Sequence, residues 1–228
     1  MDSLNLSKNN QVKNAGVLFF AKLPRKFILQ TQMTLIAFKG TDRVHIYDRK
    51  DIQDDLLTQF NEAMIFLQKH LNVRSEIKGV NRKDIYEIPL EALREAVANA
   101  IIHRDYSVYG TSLMVEVNDD SVVISNPGGL PFDLNKNKIG TVSIRRNELI
   151  ADMFARMDKA ERVGTGFKRI KDILEKVKLP FPEIESDTFC RVAFKRPVKF
   201  RGSEKTVEKT VEKTVEKTVE KILSLIKE

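Results

Sequence analysis

The sequence has few of the residues and segments that several protein classes require. It holds one cysteine, Cys190, so an internal disulfide is excluded, and with only three histidines, all scattered, no structural metal site is expected. No apolar run reaches the roughly eighteen residues of a membrane-spanning helix. The polar start MDSLNLSKNN also lacks the hydrophobic region of a secretion signal. These absences predict a soluble, cytoplasmic protein without a membrane partner.

Glycine and proline are scarce, at 10 and 7 residues, while 42% of the 228 residues are hydrophobic. This composition predicts a buried core in one large domain or two small ones. The net charge of +7 lies before Ser203, because the tail after it has as many lysines as glutamates. A basic stripe without acidic residues runs from Arg191 to Arg201 and contains Arg191, Lys195, Arg196, Lys199 and Arg201. It could meet DNA or nucleotide phosphates, or form a solvated strand edge.

The first 80 residues predict a small α+β subdomain. Apolar segments at 15–20, 28–38 and 44–47 are expected to be strands, separated by Pro24 and Gly40. From Ile52 to Leu71 the apolar residues recur at helical spacing, which predicts an amphipathic helix packed on that sheet.

Residues 81–200 predict a second, larger domain that begins with a helix at Pro89. A hairpin is expected from strands 112–117 and 121–125, followed by a loop at 126–131, a helix over 167–178 and a last strand at 188–195. This order predicts an α+β sandwich with helices on one face of a mixed sheet. Residues 201–228 hold four TVEK repeats and KILSLIKE, which we interpret as a linker, helical or not.

One side of the Pro89 helix carries the candidate chemistry. Glu95, Asn99 and His103 are spaced four apart, opposite an apolar side. The Asn99 carbonyl oxygen suits Mg²⁺, and Glu95 is placed to orient or deprotonate a water that attacks a terminal phosphate. His103 and Arg104 extend this face toward phosphate or ribose.

Glycines after the hairpin and before the later helix complete the candidate site, since they let a backbone approach a ligand closely. These loops contain Gly128, Gly129, Gly164, Thr165 and Gly166. Each feature has a plainer interpretation: a solvated helix face, an ordinary turn, or a helix cap. Their order and separation together favour a nucleotide site.

The motif EAVANAIIHRDY at 95–106 resembles the N-box of the GHKL ATPases, the group of gyrase B, MutL, the large heat-shock chaperone and histidine kinases. Segments VVISNPGGLP at 122–131, SIRRNELIADMF at 143–154 and ERVGTGFKRI at 161–170 are similar to one branch of that group. That branch is the ATPase-like domain of archaeal and bacterial transcriptional regulators, often described as related to the RecG helicase. The resemblance covers about residues 14 to 195.

The resemblance implies a Bergerat-type two-layer sandwich that binds ATP with Mg²⁺. It implies Glu95 as general base, Asn99 as metal ligand, and Asn126 where the wider group has its adenine-reading Asp. The sequence departs from the pattern at Asn126 itself, at Leu130 in place of a loop glycine, and at Lys168 in the second glycine loop. No GxxxxGK[ST] motif is present, so a motor helicase gains no support.

In such regulators a Schlafen/AlbA-type DNA-binding domain precedes this region and a winged helix follows it. We therefore expect a fragment of a longer protein or a short gene product, with KILSLIKE resembling the start of a winged helix. The leading hypothesis is an ATP-sensing regulatory module with slow hydrolysis at most, whose full-length form binds DNA. The alternatives are a nucleotide-free scaffold for oligomerisation or DNA binding, and a histidine kinase with His70 as phospho-acceptor. The oligomeric state, a homodimer included, is left open.

Overall fold

The computed structural model describes residues 1–78, 81–130, 144–160 and 166–197. The helices are Asn14–Phe20 (α1), Leu56–His70 (α2), Leu90–His103 (α3), Glu148–Arg156 (α4) and Gly166–Lys176 (α5). The strands are Ser7–Lys8 (β1), Gln11–Val12 (β2), Met33–Lys39 (β3), His45–Ile52 (β4), Val73–Lys78 (β5), Asn81–Tyr86 (β6), Leu113–Val117 (β7), Ser121–Pro127 (β8), Glu183–Ser186 (β9) and Phe189–Lys195 (β10). None of the helices in these ranges is long and apolar enough to cross a bilayer.

A six-stranded mixed sheet organises the fold, in the order β4, β3, β7, β8, β10, β9. The β3–β7 pair is parallel and the other neighbouring pairs are antiparallel. This sheet and the five helices confirm the predicted α+β class.

The strand register decides which side chains lie over the core. Leu35 pairs with Val115, Val115 with Ile124, and Ile124 with Val192, so these four share one face, and all are buried. On the opposite face, Arg191 and its register partner Ser125 are only half-buried. Helices α2 and α3 both contact the sheet. Because side chains alternate along a strand, Asn126 shares the core face with Ile124.

Helix α2 begins four residues later than its apolar pattern predicts. Ile52 is the last residue of β4, where it pairs with Met33. The helix starts only after Asp55, whose side chain accepts hydrogen bonds from the backbone N–H groups of Leu57 and Thr58, each at 3.0 Å. An aspartate in this capping position satisfies the first helical N–H groups, which fixes the start.

The prediction of a strand at 15–20 is wrong, because this segment lies in helix α1. Ala15, Leu18 and Phe19 are buried at the i, i+3, i+4 spacing of a helix. The predicted strand at 28–38 begins only at Met33, and the one at 44–47 extends to Ile52. The hairpin, the helices at 90 and 166 and the last strand are confirmed within two residues.

The division of the chain also differs from the predicted boundary near residue 80. Strands β3 and β4, from the first 80 residues, belong to the same sheet as β7, β8 and β10. One compact unit comprises Met1–Leu71 and Ile88–Arg196, and the Asn72–Glu87 segment falls outside it. That segment is the β5–β6 hairpin, closed by hydrogen bonds from Asn72 to the Glu87 carboxylate at 2.9 and 3.0 Å.

Candidate functional site

Helix α3 is buried along most of its length, including part of the side that carries its polar residues. Pro89 precedes the first helical residue, where a missing N–H costs nothing. Leu93 and Val97 are 0% exposed on the apolar side. Glu95, on the other side, is only 4% exposed, so the interpretation of this side as an ordinary solvated face does not hold for Glu95.

Glu95, Asn99 and Gly166 meet where α3 contacts α5. The Asn99 Nδ2 donates a hydrogen bond to Glu95 Oε1 at 3.3 Å. Gly166 is the first residue of α5, and a Cβ atom there would overlap Glu95 Oε1 and lie 2.9 Å from Asn99 Nδ2. A side chain at position 166 would therefore displace the ends of the Glu95 and Asn99 side chains from their present positions. Gly164 and Thr165 lie outside the described residues.

Asn126 lies near the end of β8, on the core face of the sheet, and is 4% exposed. Its Oδ1 has no hydrogen-bond partner among the described residues. A buried acceptor without a partner costs about 1–3 kcal/mol, and such a group is a reason to look for a ligand or a bound water.

The loop after Asn126 is fixed by contacts with two other segments. The Asp105 N–H donates to the Pro127 carbonyl and the Gly128 N–H to the Thr188 carbonyl, both at 3.0 Å. Gly128 has φ +94°, a conformation that favours glycine. A Cβ atom on Gly129 would overlap the Asp187 carbonyl oxygen. Both glycines are thus needed for the loop to pack as it does.

Arg146 and Asn147 hold the C-terminus of α3, and neither was among the predicted site residues. Arg146 donates to the carbonyls of His103, at 2.7 Å, and Gly129, at 2.9 Å. Asn147 Nδ2 donates to the carbonyls of Ile102 and Arg104, both at 2.8 Å. The last carbonyls of a helix have no partner inside it, and these side chains supply one. Only the segment 143–154, noted for its resemblance, pointed to them.

His103 is neutral at physiological pH in this environment. Burial, together with the charges of Arg146 and Arg145, lowers the pKa of His103 to about 4. Its Nδ1 is buried without a hydrogen-bond partner among the described residues. The imidazole therefore adds no positive charge for a phosphate, and only a neutral donor or acceptor is available.

Arg104 is 3% exposed, and its guanidinium is directed at backbone. It donates to the Gln32 carbonyl at 3.2 Å and the Thr111 carbonyl at 3.0 Å, just before β3 and β7. Burial lowers the pKa of Arg104, although arginine stays charged at any physiological pH. This geometry ties two central strands together and gives Arg104 a structural role.

The basic stripe is partly neutralised by strand β9. Arg191 lies 3.3 Å from Glu185, and Lys195 lies 2.6 Å from Glu183. Arg196 donates to the backbone carbonyl of Asn118. Lys199 and Arg201 lie outside the described residues. Within residues 1–78, 81–130, 144–160 and 166–197, no three His, Cys, Asp or Glu side chains form a group that could hold a metal ion.

Comparison with protein families finds similarity to an ATPase-like family over part of the chain. Residues 110–194 match the family described as "Putative ATP-dependent DNA helicase recG C-terminal". The matched part runs from before β7 into β10 and contains Asn126, the glycines and Arg146. Glu95 and Asn99 precede it.

Among solved structures, the crystal structure of the DIP2311 protein from Corynebacterium diphtheriae is similar, with a TM-score of 0.72 and 22% identity. The similarity covers 86% of this chain and 40% of that chain, so this chain spans less than half of it. At this identity the similarity shows the fold. No curated protein matches the sequence.

Proposed function

We propose that this chain is the ATP-binding module of a transcriptional regulator, with a Bergerat-type sandwich that holds an adenine nucleotide with Mg²⁺. The observation that carries the proposal is the contact of Glu95 and Asn99 with Gly166 in a chain with an ATPase-like domain. The buried Glu95 carboxylate and the half-buried Asn99 carboxamide lie together beside the first residue of α5, where a glycine leaves room for them.

Asn99 fits the role of cation ligand. Its Nδ2 is the atom that bonds Glu95, so its Oδ1 is not used in that bond. Mg²⁺ prefers oxygen ligands and binds through one or two protein groups together with substrate phosphates. When bound, Mg²⁺ would neutralise phosphate charge. The backbone N–H groups at the start of α5 would add partial positive charge on the same side.

Asn126 fits the role of the adenine-reading residue. Its buried Oδ1 can accept a hydrogen bond from the amino group of adenine, which would give this acceptor the partner that it lacks among the described residues. Unlike an aspartate, the asparagine also offers N–H donors, so it imposes a weaker preference for adenine.

Glu95 is the candidate general base for slow hydrolysis. Its 4% exposure keeps bulk water away, and its bond to Asn99 fixes the carboxylate orientation. A water held between this carboxylate and the terminal phosphate could lose a proton to Glu95. Glu95→Gln would keep the shape and the acceptor oxygen but remove the base, so turnover should fall while ATP binding persists.

Calorimetric titration of ATP with Mg²⁺ into the full chain tests the proposal. We expect sub-millimolar binding by the wild type and by Asn61→Ala, an exposed asparagine on α2, and its loss in Asn99→Ala. Asn126→Leu should weaken ATP binding and remove any preference for ATP over GTP. If the wild type binds no adenine nucleotide at millimolar concentration, the proposal is wrong.

The alternative is a nucleotide-free scaffold for oligomerisation or DNA binding. The burial of Glu95 and its pairing with Asn99 also suit a structural pair. In that case Asn99→Ala would alter stability, nucleotide titrations would be silent, and salt-sensitive DNA binding through the stripe would persist. The ion pairs of Arg191 and Lys195 leave less charge for that DNA than the sequence predicts.

A further inference from the structure

A cleft lies beyond the C-terminus of α3 and contains neither Glu95 nor Asn99. It has a volume of about 730 Å³ and is formed by the start of α1, the segment before β3, the residues after α3 and the start of α4. This volume is within the range of ligand-binding clefts.

The rim of this cleft carries the two most exposed aromatic side chains of the described residues. Tyr109 is 75% exposed and Phe27 is 71% exposed, and both line the cleft. Scattered exposed apolar residues are ordinary on a protein surface. Two large rings beside one cleft are different, because they offer flat surfaces on which planar groups can stack.

The cleft is also basic. Lys13, Arg145 and Arg146 line it, against the single carboxylate of Glu148. Arg146 is held in place by the carbonyls of His103 and Gly129, and Arg145 lies 3.5 Å from Asp152. Fixed guanidinium groups beside an open cleft attract anions, and arginine is suited to phosphate.

Two donor groups in the wall of the cleft have no side-chain partner among the described residues, which favours a ligand with acceptor atoms. The Tyr106 hydroxyl is buried and has no partner among the described residues, although its ring packs against the Arg104 guanidinium at 5.6 Å. The nine-residue helix α4 begins in the cleft without a side-chain cap, because the Asn147 amide donates instead to the carbonyls of Ile102 and Arg104. Its first N–H groups are therefore not bound by a cap.

We propose that this cleft, lined by Lys13, Phe27, Tyr106, Tyr109, Arg145 and Arg146, binds a short stretch of single-stranded nucleic acid. Tyr109 and Phe27 stack on bases, while Arg145, Lys13 and the start of α4 hold the backbone phosphates. Aromatic rings interleaved with cations suit a flexible strand with unpaired bases, because a duplex keeps its base faces stacked inside. An acidic peptide would match the charge but would leave the two rings without planar partners.

Fluorescence anisotropy of a labelled oligothymidylate with the full chain tests this proposal. We expect salt-sensitive binding that Tyr109→Ala and Phe27→Ala each weaken about tenfold, the usual effect of removing one stacking ring. Leu29→Ala is the matched control, because Leu29 is 69% exposed in the same segment but does not line the cleft. The control should bind as the wild type does.

The charge contribution is measured separately. Arg145→Gln should reduce the slope of log K against log salt concentration by about 0.7, the value for one phosphate of a single strand. Lys171→Gln, a charge change on the exposed surface of α5, should leave the slope unchanged. An equal effect of both substitutions would mean that only the overall charge attracts the strand, and would overturn the proposal.

Three further results would also overturn it: no oligonucleotide binding by the wild type, a duplex of the same sequence binding as tightly, or an acidic peptide competing equally well. Parallel oligodeoxythymidylate and oligouridylate titrations separate DNA from RNA, and binding of either supports the site. The result is independent of the nucleotide site, because Asn99→Ala should bind the oligonucleotide normally and Tyr109→Ala should bind Mg²⁺ and ATP normally.

Discussion

The middle and the C-terminus of helix α3 use polar residues in different ways. In its middle, Glu95 and Asn99 bond each other and contact a glycine, an arrangement that keeps functional groups close to a helix start. At its C-terminus, the polar groups bind main chain: Arg146 and Asn147 hold its last carbonyls, and Arg104 holds the entries of two strands. The motif at 95–106 is therefore divided in the structure. Its first part belongs to the candidate site, and its last part is held by main-chain contacts, which we call the anchor.

If this division holds, removing the anchor should cost the most stability. Arg146→Ala leaves the carbonyls of His103 and Gly129 without their charged donor, so the free energy of unfolding should fall by about 2–4 kcal/mol. Urea unfolding followed by circular dichroism measures it. Arg145→Ala removes a neighbouring cation whose ion pair with Asp152 is partly exposed, and should cost less than about 1 kcal/mol. Equal losses in both variants would contradict an anchoring role specific to Arg146.

The same substitution at two glycines should separate stability from binding. In Gly129→Ala the new methyl meets the Asp187 main-chain carbonyl, so the backbone has to move, at a cost of about 1–3 kcal/mol. In Gly166→Ala the methyl meets the ends of the Glu95 and Asn99 side chains, which can rotate away. We expect Gly166→Ala to change the free energy of unfolding by no more than about 1 kcal/mol.

Nucleotide affinity should show the opposite pattern for these two variants. Displacing Asn99 should weaken Mg²⁺ and ATP binding at least about tenfold in Gly166→Ala, the effect of losing one good contact. If Gly166→Ala instead binds ATP normally, the Glu95–Asn99 contact is not part of the nucleotide site.

The His103 imidazole at the anchored end makes stability depend on pH. Its pKa is about 4 in the folded protein, against 6.5 for the unperturbed group. Between these values the unfolded chain binds a proton that the folded one does not, so stability falls as the pH is lowered below about 6.5. The loss should reach about 2 kcal/mol between pH 7 and pH 5. Urea midpoints across this range should show it, and His103→Gln should flatten the curve.

His45, exposed on β4, provides the control for that experiment. His45→Gln should retain the wild-type dependence, since an exposed ring experiences little burial in the folded state. A flattened curve for His45→Gln, or an unchanged one for His103→Gln, would assign the dependence to another group.

The smallest effect on stability is expected for the cationic side chains of β10, which contact neither the candidate site nor the main chain. Lys195 pairs with Glu183 across β9 and β10, and both side chains are exposed by more than 60%. Exposed pairs contribute little because water screens them. Lys195→Gln should therefore leave the urea midpoint unchanged, and a measurable drop would show that the stripe supports the sheet edge.

The sequence predicts the parts of the fold that have a long or regular pattern. Helices α2, α3 and α5 and the β7–β8 hairpin follow from periodicity, caps and turn residues. Helix α1 does not, because its two turns contain the Val-Leu-Phe-Phe run that also suits a strand. The β5–β6 hairpin carries many charged residues and no clear apolar alternation, so it gave no signal.

The sequence could predict which residues of α3 belong to the candidate site, but not their contacts with other parts of the chain. Spacing on one helix grouped Glu95 with Asn99, but nothing in the pattern could show that Gly166 packs against them, because that contact joins distant parts of the chain. Likewise, the sequence predicts Arg104 as a phosphate ligand, but its partners are backbone carbonyls. For Arg146 the sequence offered only the resemblance of the segment 143–154, which does not indicate its contact with the His103 carbonyl. Long-range contacts with the main chain leave no periodicity to detect.

The parallel pairing of β3 with β7 has a consequence for how the protein folds. Met33 meets Leu113, and β4, α2 and α3 are made from the chain between them. Such a distant pairing closes a long loop, which slows folding. We therefore expect β3 and β7 to pair late in folding. A peptide cut to 110–194 would carry the matched segment without β3, and would expose the edge of β7 to other chains. We expect such a peptide to aggregate, whereas a chain that begins before β3 can close its own sheet.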